Sequence, residues 1–114
     1  MNASKVTAES GLLLVQTTVE TAAQADRLAN ELVSHRLAAC VSIGAAIQSV
    51  YPWQGRVERA VELPVLIKTC PERLNELKAR LSEWHPYEVP ELLVISVIDG
   101  SAAYIDWARQ WMLK

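Results

Sequence analysis

Several features are scarce in this sequence of 114 residues, and each absence excludes a class of protein. The sequence contains no Phe and only four Gly, and it has no glycine-rich loop of the kind that cradles nucleotide phosphates. No apolar run approaches the roughly 18 residues that suggest a membrane-spanning helix. With 51% apolar and 21% charged residues, the chain is too hydrophobic to be disordered. We therefore expect a folded domain without membrane insertion.

The charged residues do not form a basic stripe. Eleven Lys and Arg residues stand against 13 Asp and Glu residues, which gives a formal net charge of −2. Acids and bases alternate between residues 72 and 83, as on a solvated helix face with local ion pairs. A nucleic-acid partner is not expected, because such proteins usually carry a basic patch.

Cysteine usage and the polar N-terminus indicate a cellular compartment. Cys40 and Cys70 lie far apart and form neither a C-x-x-C motif nor a disulfide framework, so we expect free thiols in a reducing compartment. Residues 1–11 are polar and lack the apolar core of a signal peptide. The expected organisation is a flexible leader, residues 1–11, followed by a single cytoplasmic domain, residues 12–114.

The first half of the sequence predicts a strand, a helix and a long hairpin. Residues 12–18 are an apolar run typical of a strand covered on both faces, and the capping box Thr21-x-x-Gln24 starts a helix that ends near His35. Residues 38–53 and 56–69 predict two strands joined at Gln54-Gly55, with alternate residues from Ala39 to Trp53 on one face. Pro52 and Pro64 should each mark a bulge, a break or an unpaired edge position.

The second half completes a known arrangement of elements. Pro71 stands where a second helix opens, and His85-Pro86 ends it. Residues 92–98 predict a fourth strand, again apolar on both faces, and Ser101 precedes a third helix. The resulting order is βαββαβ plus a C-terminal helix, which predicts an α+β, ferredoxin-like sandwich with a long hairpin between the second and third strands.

The predicted hairpin is too long for a domain of this size. A regular strand over residues 38–53 would span roughly 50 Å, whereas a compact domain of this length is roughly 35 Å across. Its tip carries Tyr51 and Trp53, which would be exposed on an isolated hairpin. We predict that the hairpin packs against a neighbouring subunit or extends the sheet of that subunit. The alternative is that Pro52 or another irregular residue folds the strand back onto its own domain.

Few residues are candidates for chemistry. His85 lies in a loop held by Pro86 and Pro90 with acidic and aromatic neighbours. Imidazole suits Cu, Zn and Ni, and thiolate suits soft ions, so a weak or intersubunit metal site is open. Its alternative role is a satisfied histidine at a helix end. Cys70 stands beside a helix N-terminus, which favours a lowered thiol pKa and makes it a nucleophile candidate. No base is evident beside it, and a His- or Cys-dependent transferase is the weakest hypothesis.

Four segments carry a family resemblance. They are Ala38-Ala-Cys-Val41, Tyr51-Pro-Trp-Gln-Gly-Arg56, Ile67-Lys-Thr69 and His85-Pro-Tyr-Glu-Val-Pro-Glu91. In this order and at this spacing they resemble the CutA divalent-cation tolerance family over residues 12–113. The resemblance implies a ferredoxin-like fold, a homotrimer built through the long hairpin and the outer strands, and a role in tolerance of copper and other divalent metals. It implies no catalytic activity, so no enzyme is expected.

The resemblance also suggests where a site lies. The expected intersubunit cleft has Gln16, Lys68, Tyr87 and Glu91 as binding candidates, Tyr51 and Trp53 as interface anchors, and His85 and Cys40 as metal-ligand candidates. This chain has Gln16 and Trp84 where copper-binding members carry Cys and a second His, and it has Pro52 where an aromatic residue is usual. The rival hypothesis is a signalling or scaffold module similar to the PII proteins, which binds a small molecule or a protein and has no metal role.

Overall fold

The computed structural model of the protein describes residues 9–114, which form five strands and three helices. In chain order these elements are β1 (Leu12–Val19), α1 (Ala22–Ser34), β2 (Cys40–Ile43), β3 (Ile47–Trp53), β4 (Arg56–Thr69), α2 (Leu74–Trp84), β5 (Leu93–Val97) and α3 (Ala102–Met112). A 3₁₀ turn over Pro71–Arg73 leads into α2. Within the described residues, no helix has the length and apolarity needed to cross a membrane.

The sheet has the antiparallel order expected for a ferredoxin-like fold. Its strands run β2-β4-β1-β5, and β3 also pairs with β4. The first and fourth predicted strands therefore lie side by side, with β1 in the centre between β4 and β5. The predicted capping box is present, because Thr21 accepts from the backbone of Gln24 and the Gln24 side chain accepts from the backbone of Thr21. The predicted α+β fold class is confirmed.

The main core lies between one face of the sheet and two helices. Side chains of α1 and α2 pack against alternate residues of β1 and β4; the buried set includes Leu13, Val15, Leu28, Leu32, Val65, Ile67, Leu77 and Leu81. A smaller cluster seats α3, with Ala108 and Met112 against Leu12 and Cys70. At the far end of α3, the Trp111 indole Nε1 donates to the Val33 carbonyl at 3.0 Å. The predicted third helix is therefore fixed to the body of the domain.

The second predicted strand is not continuous. Residues 44–46 interrupt it, and the pairing shifts by one residue between Ile43↔Val65 and Ile47↔Glu62, as in a β-bulge. The interruption faces Pro64, and a Cβ on Gly44 would lie 2.7 Å from the Pro64 Cγ. Because side chains alternate with period two, a one-residue shift moves those of β3 to the other face of the sheet. The prediction of one shared face over residues 39–53 is therefore wrong.

The start of the domain is held to the sheet and to α3. The Ser10 backbone N–H donates to the Val97 carbonyl at 3.4 Å, and the Arg109 guanidinium donates to the Gly11 carbonyl at 2.8 Å. Of the leader predicted over residues 1–11, residues 1–8 lie outside the described part of the chain. The last residues of that segment already belong to the folded body.

The long hairpin and strand β5 have apolar side chains that the described residues leave uncovered. Within one chain, β5 is exposed from Leu93 to Ser96, although its sequence predicts a strand covered on both faces. The β3–β4 hairpin exposes Val50, Trp53 and Val57, the last to 78%. The longest axis of the molecule is 44 Å against 25 Å for the shortest. Much apolar surface that a single domain would normally bury is therefore free in the monomer.

Candidate functional site

A cleft opens where the hairpin, the end of β1 and the loop after α2 meet. Its volume is about 590 Å³, and its lining residues are Thr18, Glu20, Ser49, Val50, Tyr51, Trp53, Ala60, Glu62, Tyr87, Glu88, Val89 and Glu91. The start of the loop after α2 is determined by the local sequence. Helix α2 ends at Trp84, because the residue before Pro86 avoids the helical region. His85 accordingly has an extended backbone and turns the chain toward the cleft.

Glu62 is a buried carboxylate in this cleft, with only 9% of its surface exposed. Its Oε2 accepts hydrogen bonds from the Thr18 hydroxyl at 3.0 Å and from the Tyr87 hydroxyl at 2.9 Å. Burial raises the pKa of Glu62, but the hydrogen bonds from Ser49, Tyr87 and Thr18 bring the pKa below its ordinary value. Glu62 is therefore ionised at neutral pH and is held by neutral hydroxyl donors.

His85 lies behind the cleft and positions its loop. The Tyr87 backbone N–H donates to Nδ1 at 3.1 Å, so Nδ1 carries no proton. The proton is then on Nε2, which donates to the Thr18 carbonyl at 3.0 Å and also lies 3.0 Å from the Thr17 hydroxyl. Burial lowers the pKa of His85 and outweighs the Thr18 hydrogen bond and the Glu62 charge, which raise it. The imidazole is neutral, with both nitrogens engaged.

The structure brings five of the predicted site residues together. Tyr51, Trp53, Tyr87 and Glu91 line the cleft. Gln16 adjoins it, because its Nε2 donates to the Glu91 Oε2 at 3.3 Å. The three aromatic rings and the acidic residues of the cleft thus come from three separate segments of the chain.

Lys68 and Cys40 lie elsewhere, on paired positions of β4 and β2. The Lys68 Nζ is 3.9 Å from the Cys40 Sγ and 5.7 Å from the centre of the Tyr104 ring. The contacts of Cys40 and those of His85 involve different residues. In residues 9–114, no three His, Cys, Asp or Glu side chains are grouped so that they could hold a metal ion.

Cys70 does not have the lowered pKa expected beside a helix N-terminus. It is fully buried in the cluster that seats α3, and burial raises the pKa of its thiol. The nearby charges are already paired, since the Arg109 guanidinium binds the Glu72 carboxylate with Nη2–Oε2 at 2.6 Å and Nη1–Oε1 at 3.1 Å. The hypothesis of Cys70 as a nucleophile finds no support, because packing of α3 removes the thiol from solvent.

Sequence reasoning missed the residues at the centre of the site. In the sequence, Glu62 and Glu58 lie on the same face of a predicted strand, and this face looks like an ordinary polar one. Thr18 and Ser49 are single polar residues in apolar runs. The one signal for these site residues is that a polar side chain interrupts an apolar run. This signal is weak, because strand register determines which side chain each polar residue contacts.

The two buried acid–base groups predict a loss of stability in acid. The folded state lowers the pKa of His85 from 6.5 and that of Glu62 from 4.5, so the unfolded chain binds more protons at low pH. The free energy of unfolding should decrease as the pH falls through 6.5, and again below 4.5. Urea titrations over this range measure it. A His85→Gln variant should lose the first decrease and keep the second; an unchanged pH profile in that variant would contradict the assignment.

Comparison with known proteins identifies the fold. The CutA1 divalent ion tolerance protein family matches residues 13–111. The divalent-cation tolerance protein CutA of Thermus thermophilus is 40% identical over 97 residues, which cover 85% of this chain and 94% of that protein. The solved structure of CutA from Synechococcus elongatus has a TM-score of 0.87 at 42% identity and covers 97% of this chain and 99% of that one.

A plant relative extends the comparison. The protein named "Protein CutA, chloroplastic" of Arabidopsis thaliana is 36% identical over 97 residues, which cover 85% of this chain and 53% of the relative. The family match runs from β1 into α3 and therefore includes both the hairpin and the cleft. It confirms the resemblance carried by the four sequence segments. The chain belongs to the CutA1 divalent ion tolerance protein family.

Proposed function

We propose that this protein acts in divalent-cation tolerance as a homotrimer that binds its ligand in clefts at the subunit boundaries. The observation that carries the proposal is the position of the cleft. One wall is the projecting hairpin, where Trp53 is 51% exposed in a single chain. Aromatic side chains of this kind are typical of interface anchors. A neighbouring subunit that covers the hairpin would also close the cleft.

The remaining apolar surface supports an assembly of identical chains. Leu93 and Ile95 of β5 pair with Gln16 and Leu14, and these residues share the sheet face that α1 and α2 do not cover. Among the described strands, β5 pairs with β1 alone, and Leu93, Val94 and Ile95 expose between 36% and 52% of their surface. Exposed apolar patches of this kind favour association. A closed homotrimer covers such surfaces in every subunit at once.

The predicted copper ligands do not form a metal centre within one chain. Both nitrogens of His85 are engaged, and Cys40 contacts Lys68 and Ser42 instead. A stable closed site needs several converging ligands. We therefore propose that the protein binds copper or another divalent cation weakly, as the ion that it handles. His85 and Cys40 are then ligands of sites that residues of neighbouring subunits complete.

Calorimetric titration of Cu²⁺ into the wild-type oligomer tests this proposal. We expect a dissociation constant above about 1 μM, because one hydrogen bond of His85 must break before a ring nitrogen can coordinate Cu²⁺. His85→Gln and Cys40→Ser should each weaken binding further. The matched controls are His35→Gln, at an exposed histidine, and Ser42→Ala beside Cys40. If the controls weaken binding and the ligand variants do not, His85 and Cys40 are not the ligands.

A second candidate function is a small-molecule or protein-binding module similar to the PII proteins, without a metal role. The size of the cleft favours it, because about 590 Å³ lies within the usual range of organic ligand sites and far exceeds one ion. The engaged His85 favours it too. An absence of copper binding in the titration would support this function over the first.

Location and chemistry complete the proposal. Cys40 and Cys70 are both free thiols, which suits the reducing cytoplasm that we propose. The Arabidopsis relative is named as chloroplastic. The buried, pKa-raised Cys70 and the hydrogen-bonded, neutral His85 support a binding role and not catalysis.

A further inference from the structure

The cleft has an unusual balance of charge. Four of its lining residues are carboxylates, namely Glu20, Glu62, Glu88 and Glu91. Among the described residues that line it, none is Lys, Arg or His. Charges of one sign in a concave site with low-dielectric walls raise the local concentration of ions of the other sign. The cleft therefore attracts positively charged ligands.

Glu62 gives this attraction a fixed point. It is the most buried of the four carboxylates, and its hydrogen bonds come from the neutral hydroxyls of Thr18 and Tyr87. These donors orient and stabilise the carboxylate but leave its charge without a cationic partner in the cleft. A buried anion of this kind forms its strongest further interaction with a cation that also donates hydrogen bonds.

The other walls favour a ligand with an apolar body. Tyr51, Trp53 and Tyr87 place three aromatic side chains around the acidic residues, with Val50 and Val89 beside them. Aromatic faces attract ammonium and guanidinium groups, and the apolar walls can bury a short hydrocarbon segment. A hydrated metal ion uses neither of these surfaces.

We propose that the cleft binds a small organic cation, an ammonium or guanidinium group on a short apolar body, with Glu62 as the counter-ion and Tyr51, Trp53 and Tyr87 as the aromatic walls. This inference rests on the proposed function insofar as the cleft is the ligand site of the assembly. It replaces an unspecified ligand by a chemical class. It also assigns Glu62, at the centre of the site, a recognition role.

Calorimetry with n-butylguanidinium tests the proposal on the wild-type oligomer, with n-butanol and butyrate as neutral and anionic probes of similar size. Only the cation should bind. Glu62→Gln keeps an acceptor for the Thr18 and Tyr87 hydroxyls but removes the charge, and it should weaken binding by at least about tenfold. Trp53→Leu should weaken it severalfold. Because Trp53 is also a proposed interface anchor, this variant is compared with the wild type only after sedimentation shows the same oligomeric state. The control Glu83→Gln, on the exposed face of α2, should bind as the wild type does.

The outcomes separate this inference from the proposed function. Equal binding of n-butanol, or undiminished binding by both Glu62→Gln and Trp53→Leu, overturns the organic-cation assignment. If n-butylguanidinium fails to bind and Cu²⁺ binds, the inference fails and the tolerance proposal stands. If n-butylguanidinium binds the predicted way and Cu²⁺ does not bind at all, the inference stands and the metal-binding part of the proposed function fails.

Discussion

Replacement of His85 by Ala is expected to lower the free energy of unfolding by about 2–4 kcal/mol. The imidazole is buried and satisfies three groups in the folded state: the Tyr87 N–H, the Thr18 carbonyl and the Thr17 hydroxyl. Its removal leaves those groups without this partner and opens a cavity against the end of β1. Both effects are costly, because buried polar groups without hydrogen bonds retain their full desolvation penalty.

Chemical denaturation of His85→Ala and His35→Ala measures this effect against a matched control. His35 is the C-cap of α1 and is exposed, and its ring lies 5.3 Å from the Trp84 ring at an interplanar angle of 52°. Its replacement should cost less than about 1 kcal/mol. Equal destabilisation by the two substitutions would show that the His85 network contributes nothing special to the fold.

Leu93→Asp is expected to convert the proposed trimer into monomers at micromolar concentration. The wild type should sediment at about three times the chain mass of 12.7 kDa. Leu93 is 52% exposed in a single chain, on the sheet face that we assign to the interface. Burial of an unpaired carboxylate there is strongly unfavourable, and we expect association to weaken by at least about 100-fold, or roughly 3 kcal/mol.

Leu113→Asp provides the control for sedimentation. Leu113 has a similar exposure, 45%, but lies at the C-cap of α3 and not in the sheet. This variant should remain trimeric, which separates a specific interface from a general effect of added charge. A monomeric wild type would overturn the assembly directly. A trimeric Leu93→Asp would instead move the interface away from β5.

The fold was predictable because its local signals agree with one another. The capping box at Thr21, the proline at position 71 and the His85-Pro86 stop each determine a helix boundary through backbone chemistry within a few residues. The interruption at residues 44–46 was not predicted as such. Pro64 indicates an irregularity, but its partner strand bears the bulge, and strand pairing is not a local property.

The site was predictable only in part, for a related reason. The segment from His85 to Glu91 is conspicuous in the sequence, as are Tyr51 and Trp53 near the hairpin turn, and the structure places five of the predicted residues in or beside one cleft. Lys68 and Cys40 share a different surface. Glu62 was missed, because its environment forms only when the chain folds. The hydroxyls that lower the pKa of Glu62 come from β1, β3 and the loop after α2.

The order of the elements, the fold class and the family could be predicted from the amino-acid sequence, because hydrophobic periodicity, caps and spaced motifs each lie within a short segment. Which side chains face each other depends on the tertiary structure. The one-residue bulge turned Tyr51 and Trp53 to the face of Glu62, and the packing of α3 buried Cys70. Alternation with period two makes the facing of every strand residue depend on register, and register is set by contacts between distant segments of the chain.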